Sequence, residues 1–433
     1  AREVVTLNPD QPLVQAVAVR EGSIVAIGSL EEIQQTLSGE TYSVDLRFDD
    51  FVLIPGLINQ HEHAWLASLL FITEILSIED WVLPDRTIER AEDAADYRER
   101  LTKIVAEHTD PSEVIYTWGF HQLFHGELTR SDLDEISDTI PIVVLQRSIH
   151  EQIHNTRALE YFGIDQTLID NAPASVRAQT NLEEGHFWEQ GQSLIVPAVF
   201  ADLFHPSRYI PALEQVEAYW HSAGSTLVAE PGGSASAAFI EMQNQVLSDS
   251  DTPFRMHYIA DGRSFAANLP EAEVVTEVEK LFITAQGMTE FIPKQVKLFA
   301  DGAMFSQLMQ MSEGYLDGHH GEWLMDPEDF ANAFRIYWDA GYQIHVHQNG
   351  DAGLDLVLDI LQANMTRNPR ADHRTVIVHF GFSRSDQVET LANLGAIVSA
   401  NPFYPIILAD KYSNVGIGPE RAQEMVRLGD LVR

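Results

Sequence analysis

From about residue 220 onward the chain repeats one rhythm that constrains its fold more than any other feature. Short, β-rich apolar bursts alternate with helical stretches: "STLVAEPGG" (225–233), "FRMHYIAD" (254–261), "QVKLFADG" (295–302), "YQIHVHQNGD" (342–351), "TVIVHFGF" (375–382) and "AIVSANP" (396–402). They recur every 20 to 50 residues or so, roughly the length that a strand, a helix and two connections occupy. Several end in Gly, Asp or Asn, so their C-terminal ends open into loops. "VLIPGLINQHEH" supplies an earlier strand of the same kind and brings the set to seven. Eight such units close a TIM-type barrel, whose active site lies at the C-terminal face of the strands. The expected fold is α/β, a (β/α)8 barrel.

The rest of the chain attaches to that barrel. Residues 1–52 alternate apolar and polar positions, and "PLVQAVAVREGSIVAIG" turns on a Glu-Gly pair as a hairpin does. This predicts a small, partial N-terminal β-sandwich, with the barrel over 53–433. Residues 75–220 separate the first two barrel strands and are too long for a loop and too well patterned for disorder. They are expected to form an inserted α/β subdomain that roofs the barrel mouth. After the seventh burst comes a helical "PERAQEMVRLGDLVR", ending at Arg433 where the eighth strand should begin. An open seven-stranded barrel would leave two unpaired edges. The expectation is that the eighth strand, and the returning strands of the sandwich, lie outside this sequence.

Composition narrows the chemistry. With no cysteine, disulfides, thiolate nucleophiles and Cys-bound zinc are excluded, so a metal must be held by His, carboxylate or a modified side chain. Absence of cysteine also suits the cytoplasm. No apolar run is long enough to cross a bilayer. The formal charge is −38, from 65 acidic against 27 basic residues. Such a surface repels nucleic acid and anionic lipid, and it is compatible with a salt-loving source. The expected partners are a small-molecule substrate and a second copy of the chain. The five lysines are Lys103, Lys280, Lys294, Lys297 and Lys411, so a lysine inside an apolar strand needs a reason.

His61 and His63 form a His-x-His triplet, of which roughly 0.7 would arise by chance in this composition. A second triplet is His345 and His347. Position decides between accident and design. Residues i and i+2 of a strand face one way, so His61 and His63 point together just beyond a strand end. His347 ends "IHVHQNGD" and His379 lies near the end of "VIVHFGF". In a barrel all four imidazoles converge on one mouth, where only a cation would organise so many neutral rings. Zn²⁺ or a related first-row ion suits them. His345, one step deeper, reads as packing. Lys297 reaches the same face, where burial near positive charge lowers its pKa and suits it to add CO2 as a carbamate bridging two ions. The bland alternative is a surface or salt-bridged lysine, with Asp301 as a candidate partner.

Taken together, "PGLINQHEH", "VKLFADG", "HVHQNGD" and "VIVHFGF" resemble the amidohydrolase superfamily of metal-dependent hydrolases, and within it the YtcJ-like (type 3) branch. The likeness runs over nearly the whole chain, including the insertion with its "TRSDLDEISDTIPIVVLQRSIHEQIHNTRALEYFGI". It implies that His61, His63, His347 and His379 ligate one or two divalent ions, with Lys297 a candidate carboxylated bridge. His150, in "RSIHEQIHN", occupies a place where that branch commonly has a histidine facing the site. Trp118, Glu230 and Asp301 are candidate pocket or supporting residues. One departure matters: the superfamily draws an aspartate base from its eighth strand, and Asp430 lies instead on a helix end.

These readings imply a hydrolase that cuts an amide or cyclic amide C–N bond with metal-activated water. A deaminase, isomerase or lyase on the same barrel is one rival. A catalytically dead regulatory homologue is the other, because a fold does not fix its function.

Overall fold

All seven bursts become strands of one parallel sheet in the computed structural model, which describes residues 1–234 and 236–432. In chain order they are β1 (Leu57–Asn59), β2 (Ser225–Ser234), β3 (Arg255–Asp261), β4 (Thr289–Phe299), β5 (Gln343–Gln348), β6 (Val376–His379) and β7 (Ile397–Ala400). Each pairs in parallel with its sequence neighbour, so β1 and β7 are the outer strands. The apolar residues at alternate positions of these strands bury one face of the sheet, while the other face carries Lys297, His345 and His347. Val228, Met256, Tyr258, Val296, Leu298, Ile344, Val346 and Ile377 are all fully buried. Helices Ala237–Leu247, Glu271–Phe282, Pro327–Asp339, Asp351–Arg367 and Ser385–Leu394 lie between successive strands and share that core.

The sheet is curled. His61 follows β1 by two residues and His379 ends β6, five strand spacings away, or about 24 Å if the sheet were flat. Their ring centroids are 4.8 Å apart. After β7 the described chain continues as helices, Phe403–Lys411, Pro419–Ala422 and Leu428–Leu431. Asp430 lies in the last of these, ion-paired with Arg427 at 2.9 Å.

Between β1 and β2 runs a separate six-stranded sheet in the order Thr180–Asn181, His186–Trp188, Glu151–His154, Ile142–Gln146, Ile115–Phe120, Glu74–Ile75. Its alternation divides two cores. Val143 and Leu145 pack into the main core, while Ile142 and Val144 pack with Tyr97, Leu101 and Leu133 on the other face. At the N-terminus, Ala16–Arg20 and Ser23–Gly28 form the expected antiparallel hairpin. Its turn uses two left-handed residues, Glu21 and Gly22, as tight hairpins require. A three-stranded sheet joins Leu13–Val14, Glu3–Val5 and Val52–Leu53 beside it. Among the described residues no helix is long and apolar enough to cross a membrane.

Candidate metal centre

Curling brings histidines from four separate segments into one row. Ring centroids run 5.3 Å from His63 to His61, 4.8 Å on to His379, 4.5 Å to His347 and 5.3 Å to His150. The polypeptide bends hard to achieve this. His379 and Phe380 are consecutive left-handed residues, at φ 75° and 50°. Each such residue costs about 1–2 kcal/mol, strain that concentrates at functional sites. Backbone bonds hold it in place: Phe380 N–H donates to Gln348 C=O at 3.1 Å, and Asn401 N–H to His379 C=O at 2.9 Å.

Withdrawal from water is the main reason that His61, His347 and His379 are held well below the ordinary imidazole range. The Lys297 ammonium and the neighbouring rings add to it. These rings are therefore neutral at pH 7, the form in which imidazole binds metal. Lys297 in β4 is itself buried, and desolvation pushes its ammonium down to about 7, with Asp261 pulling the other way. Near neutrality an appreciable share of it is the free amine.

Glu230, within β2, is fully buried and lies beside this row. One oxygen accepts the Ala64 N–H at 3.4 Å, at the start of helix Ala64–Ile72. The other stands 3.8 Å from His63 Nδ1. Neither that oxygen nor that nitrogen has a hydrogen-bond partner, although both are buried.

Other residues singled out in the sequence lie elsewhere. His345 bonds Gln295 at 3.0 Å, so the second His-x-His divides its roles between packing and the site. Asp301 does not pair with Lys297. Its two oxygens accept the backbone N–H groups of Asn349, Gly350 and Gln310, at 2.9, 2.7 and 2.9 Å, and burial raises its pKa to about 7. It staples the loops after β4 and β5. Trp118 is buried in the six-stranded sheet against Trp81, with the Arg147 guanidinium 5.0 Å from its ring centroid.

Two further residues touch the row. Asn349 Nδ2 donates to His347 Nε2 at 3.0 Å and to Gly302 C=O at 3.1 Å. Its sequence signal was its place in "HVHQNGD". Glu189 bonds His150 Nδ1 at 2.7 Å and carries no motif that could have announced it.

Among the described residues, no three His, Asp or Glu side chains are set to hold an ion between them, and the imidazoles pack against one another instead. The donor set nevertheless fits a divalent first-row ion in its chemistry. It offers neutral imidazoles, a low-pKa lysine, and two buried donor atoms at His63 and Glu230 that lack partners.

Comparison with known proteins agrees in kind. The chain is 22% identical to putative amidohydrolase YtcJ of Bacillus subtilis (strain 168), over 93% of this chain and 72% of that one. It is 22% identical to exoenzymes regulatory protein AepA of Pectobacterium carotovorum subsp. carotovorum, over 99% and 90%. It is 23% identical to protein LONG AFTER FAR-RED 3 of Arabidopsis thaliana, over 97% and 70%. The fold is shared with two solved structures described as uncharacterized metal-dependent hydrolases, from Pyrococcus horikoshii OT3 and Pyrococcus furiosus. Their TM-scores are 0.64 and 0.63, at 17% and 18% identity, covering 99% of this chain and 79% and 81% of those. A family model described as the amidohydrolase family matches residues 49–433, and to that family the chain belongs.

Proposed function

We propose that this protein hydrolyses a C–N bond in a small molecule, an amide or cyclic amide, with the help of a divalent metal. The observation that carries the reading is the row of imidazoles drawn from distant strand ends onto a buried, low-pKa lysine. His61, His63, His347 and His379 would hold the ion, Zn²⁺ or a related first-row metal, on a curled sheet that fits a (β/α)8 barrel. When bound, such an ion polarises a carbonyl and makes water nucleophilic near neutral pH. The chain supplies the rest. Lys297, as free amine, can add CO2 and lose one proton to become a carbamate, the carboxylate-like ligand that a second ion would need. Glu230 stands beside His63 and accepts the Ala64 N–H at the helix start, and His150 ends the row from the six-stranded sheet.

Metal analysis of the purified chain should find about one to two equivalents of divalent ion. Loss of a supporting partner weakens metal affinity 10–100-fold, so His61→Ala, which removes a ligand, should weaken Zn²⁺ binding at least about 10-fold. It should lower hydrolysis of an amide panel in parallel. Metal-free protein under non-chelating conditions, or unaltered binding in His61→Ala, would overturn the site. A second reading, a regulatory protein on the same fold, is favoured by the name of AepA. Bound metal with no turnover of any amide would support it.

A further inference from the structure

His150 is held by a device built from two neighbouring strands of the six-stranded sheet. Antiparallel pairing sets Glu151 opposite Trp188 and Gln152 opposite Phe187, so the next pair outward is His150 and Glu189. There the Glu189 N–H donates to His150 C=O at 3.0 Å, and the side chains close the same pair through His150 Nδ1 and Glu189 Oε2 at 2.7 Å. Both ends are strained. Ile149, a β-branched residue, has φ 64°, and Glu189 has φ 41°. The Glu189 side chain is fully buried, and its second oxygen accepts the Ala303 N–H at 3.3 Å. Gly302 permits that approach, because a Cβ there would stand 2.6 Å from Glu189 Oε1.

A carboxylate can only accept, so the nitrogen facing it must carry hydrogen. We propose that Glu189 is a positioning residue that locks His150 in the Nδ1–H tautomer. Nε2 is then the ring nitrogen offered to the site, as a hydrogen-bond acceptor. The ring stands 5.3 Å from His347, so the acceptor serves a substrate at the histidine row and recognises an N–H or O–H on it. Substrates with a primary or secondary amide N–H meet that demand, and fully N-alkylated amides do not. The substrate preference rests on the hydrolytic reading above, whereas the tautomer lock does not.

The test is ¹⁵N NMR of the full chain, deuterated and selectively ¹⁵N-labelled at histidine, at about pH 8, above the ordinary imidazole range. His150 is assigned as the signal lost in His150→Gln. The wild type should show a proton-bearing Nδ1 and a lone-pair Nε2. Glu189→Ala should exchange the two shifts, reverting to the Nε2–H form that predominates in free histidine. An Nε2–H ring or a doubly protonated ring in the wild type would overturn the proposal without any variant, as would an unchanged Nδ1–H ring in Glu189→Ala. Zn²⁺ uptake measured on the same wild-type sample separates the two readings. An Nδ1–H ring in protein that takes up no metal keeps the lock and removes the hydrolytic centre.

Discussion

Lys297 concentrates the residue-scale physics. A buried ammonium loses hydration that nothing nearby restores in full, so its folded pKa falls from the ordinary 10.5 to about 7. Between those values the unfolded chain holds a proton that the folded chain has released. Stability of the metal-free protein must therefore rise with pH across this window. Lys297→Met, close in volume and without charge, should remove that part of the slope. Urea midpoints at intervals from about pH 7 to 10, in CO2-free buffer, measure it. Equal slopes in wild type and variant would mean that Lys297 is not held as a buried amine. The lysine was legible in the sequence because lysines are so scarce there and this one interrupts an apolar run. Its actual neighbours were not. Asp301, four residues on, looked like a partner, but the loops after β4 and β5 take both its oxygens.

At the scale of elements, legibility followed the kind of contact. The seven strands of the parallel sheet could be read because each is an apolar run broken by a loop residue. Glu189 could not, since it meets His150 across 39 residues through the register of two short strands with no shared pattern. Glu230 is intermediate: its strand was evident, and its attachment to the helix that follows β1 was not. The first helical N–H of Ala64–Ile72 has that carboxylate as acceptor, while the N-cap His63 makes no side-chain cap bond. A buried carboxylate here satisfies an orphan donor and lies at the positive end of the helix dipole. Gly233 leaves room for it, since a Cβ would come within 2.0 Å of Glu230 Oε1 and 2.9 Å of His63 Nδ1. Gly233→Ala should therefore destabilise the fold by about 1–3 kcal/mol, the usual cost of overpacking. Gly429→Ala, where nothing lies within 4 Å, is the control and should stay within about 0.5 kcal/mol. Equal unfolding midpoints for the two variants would count against the close packing of Gly233 on Glu230.

The whole molecule carries a problem that no single site reveals. With 65 acidic and 27 basic residues, an excess of 38 negative charges remains even if every cation is neutralised. The surface pairs that do form, such as Arg335–Glu271 and Arg367–Asp339, are solvent-exposed. Each such pair contributes only ~0–1 kcal/mol. Salt weakens both terms, but unpaired repulsion outnumbers paired attraction, and the range of charge interactions shrinks from about 10 Å at 0.1 M to about 3 Å at 1 M. The folded state gains more from this than the unfolded state, whose charges are further apart. Thermal and urea midpoints at neutral pH should accordingly rise as KCl goes from tens of millimolar to about 1–2 M. The same titration nearer the isoelectric point of about 4.6 supplies the discrimination, because protonation there removes the excess charge that salt would screen. The salt slope should shrink towards that pH. A slope that is flat at neutral pH would show that the acidic excess is spread too thinly to strain the fold. An equal slope at both pH values would assign the effect to apolar burial instead, which salt strengthens whatever the charge.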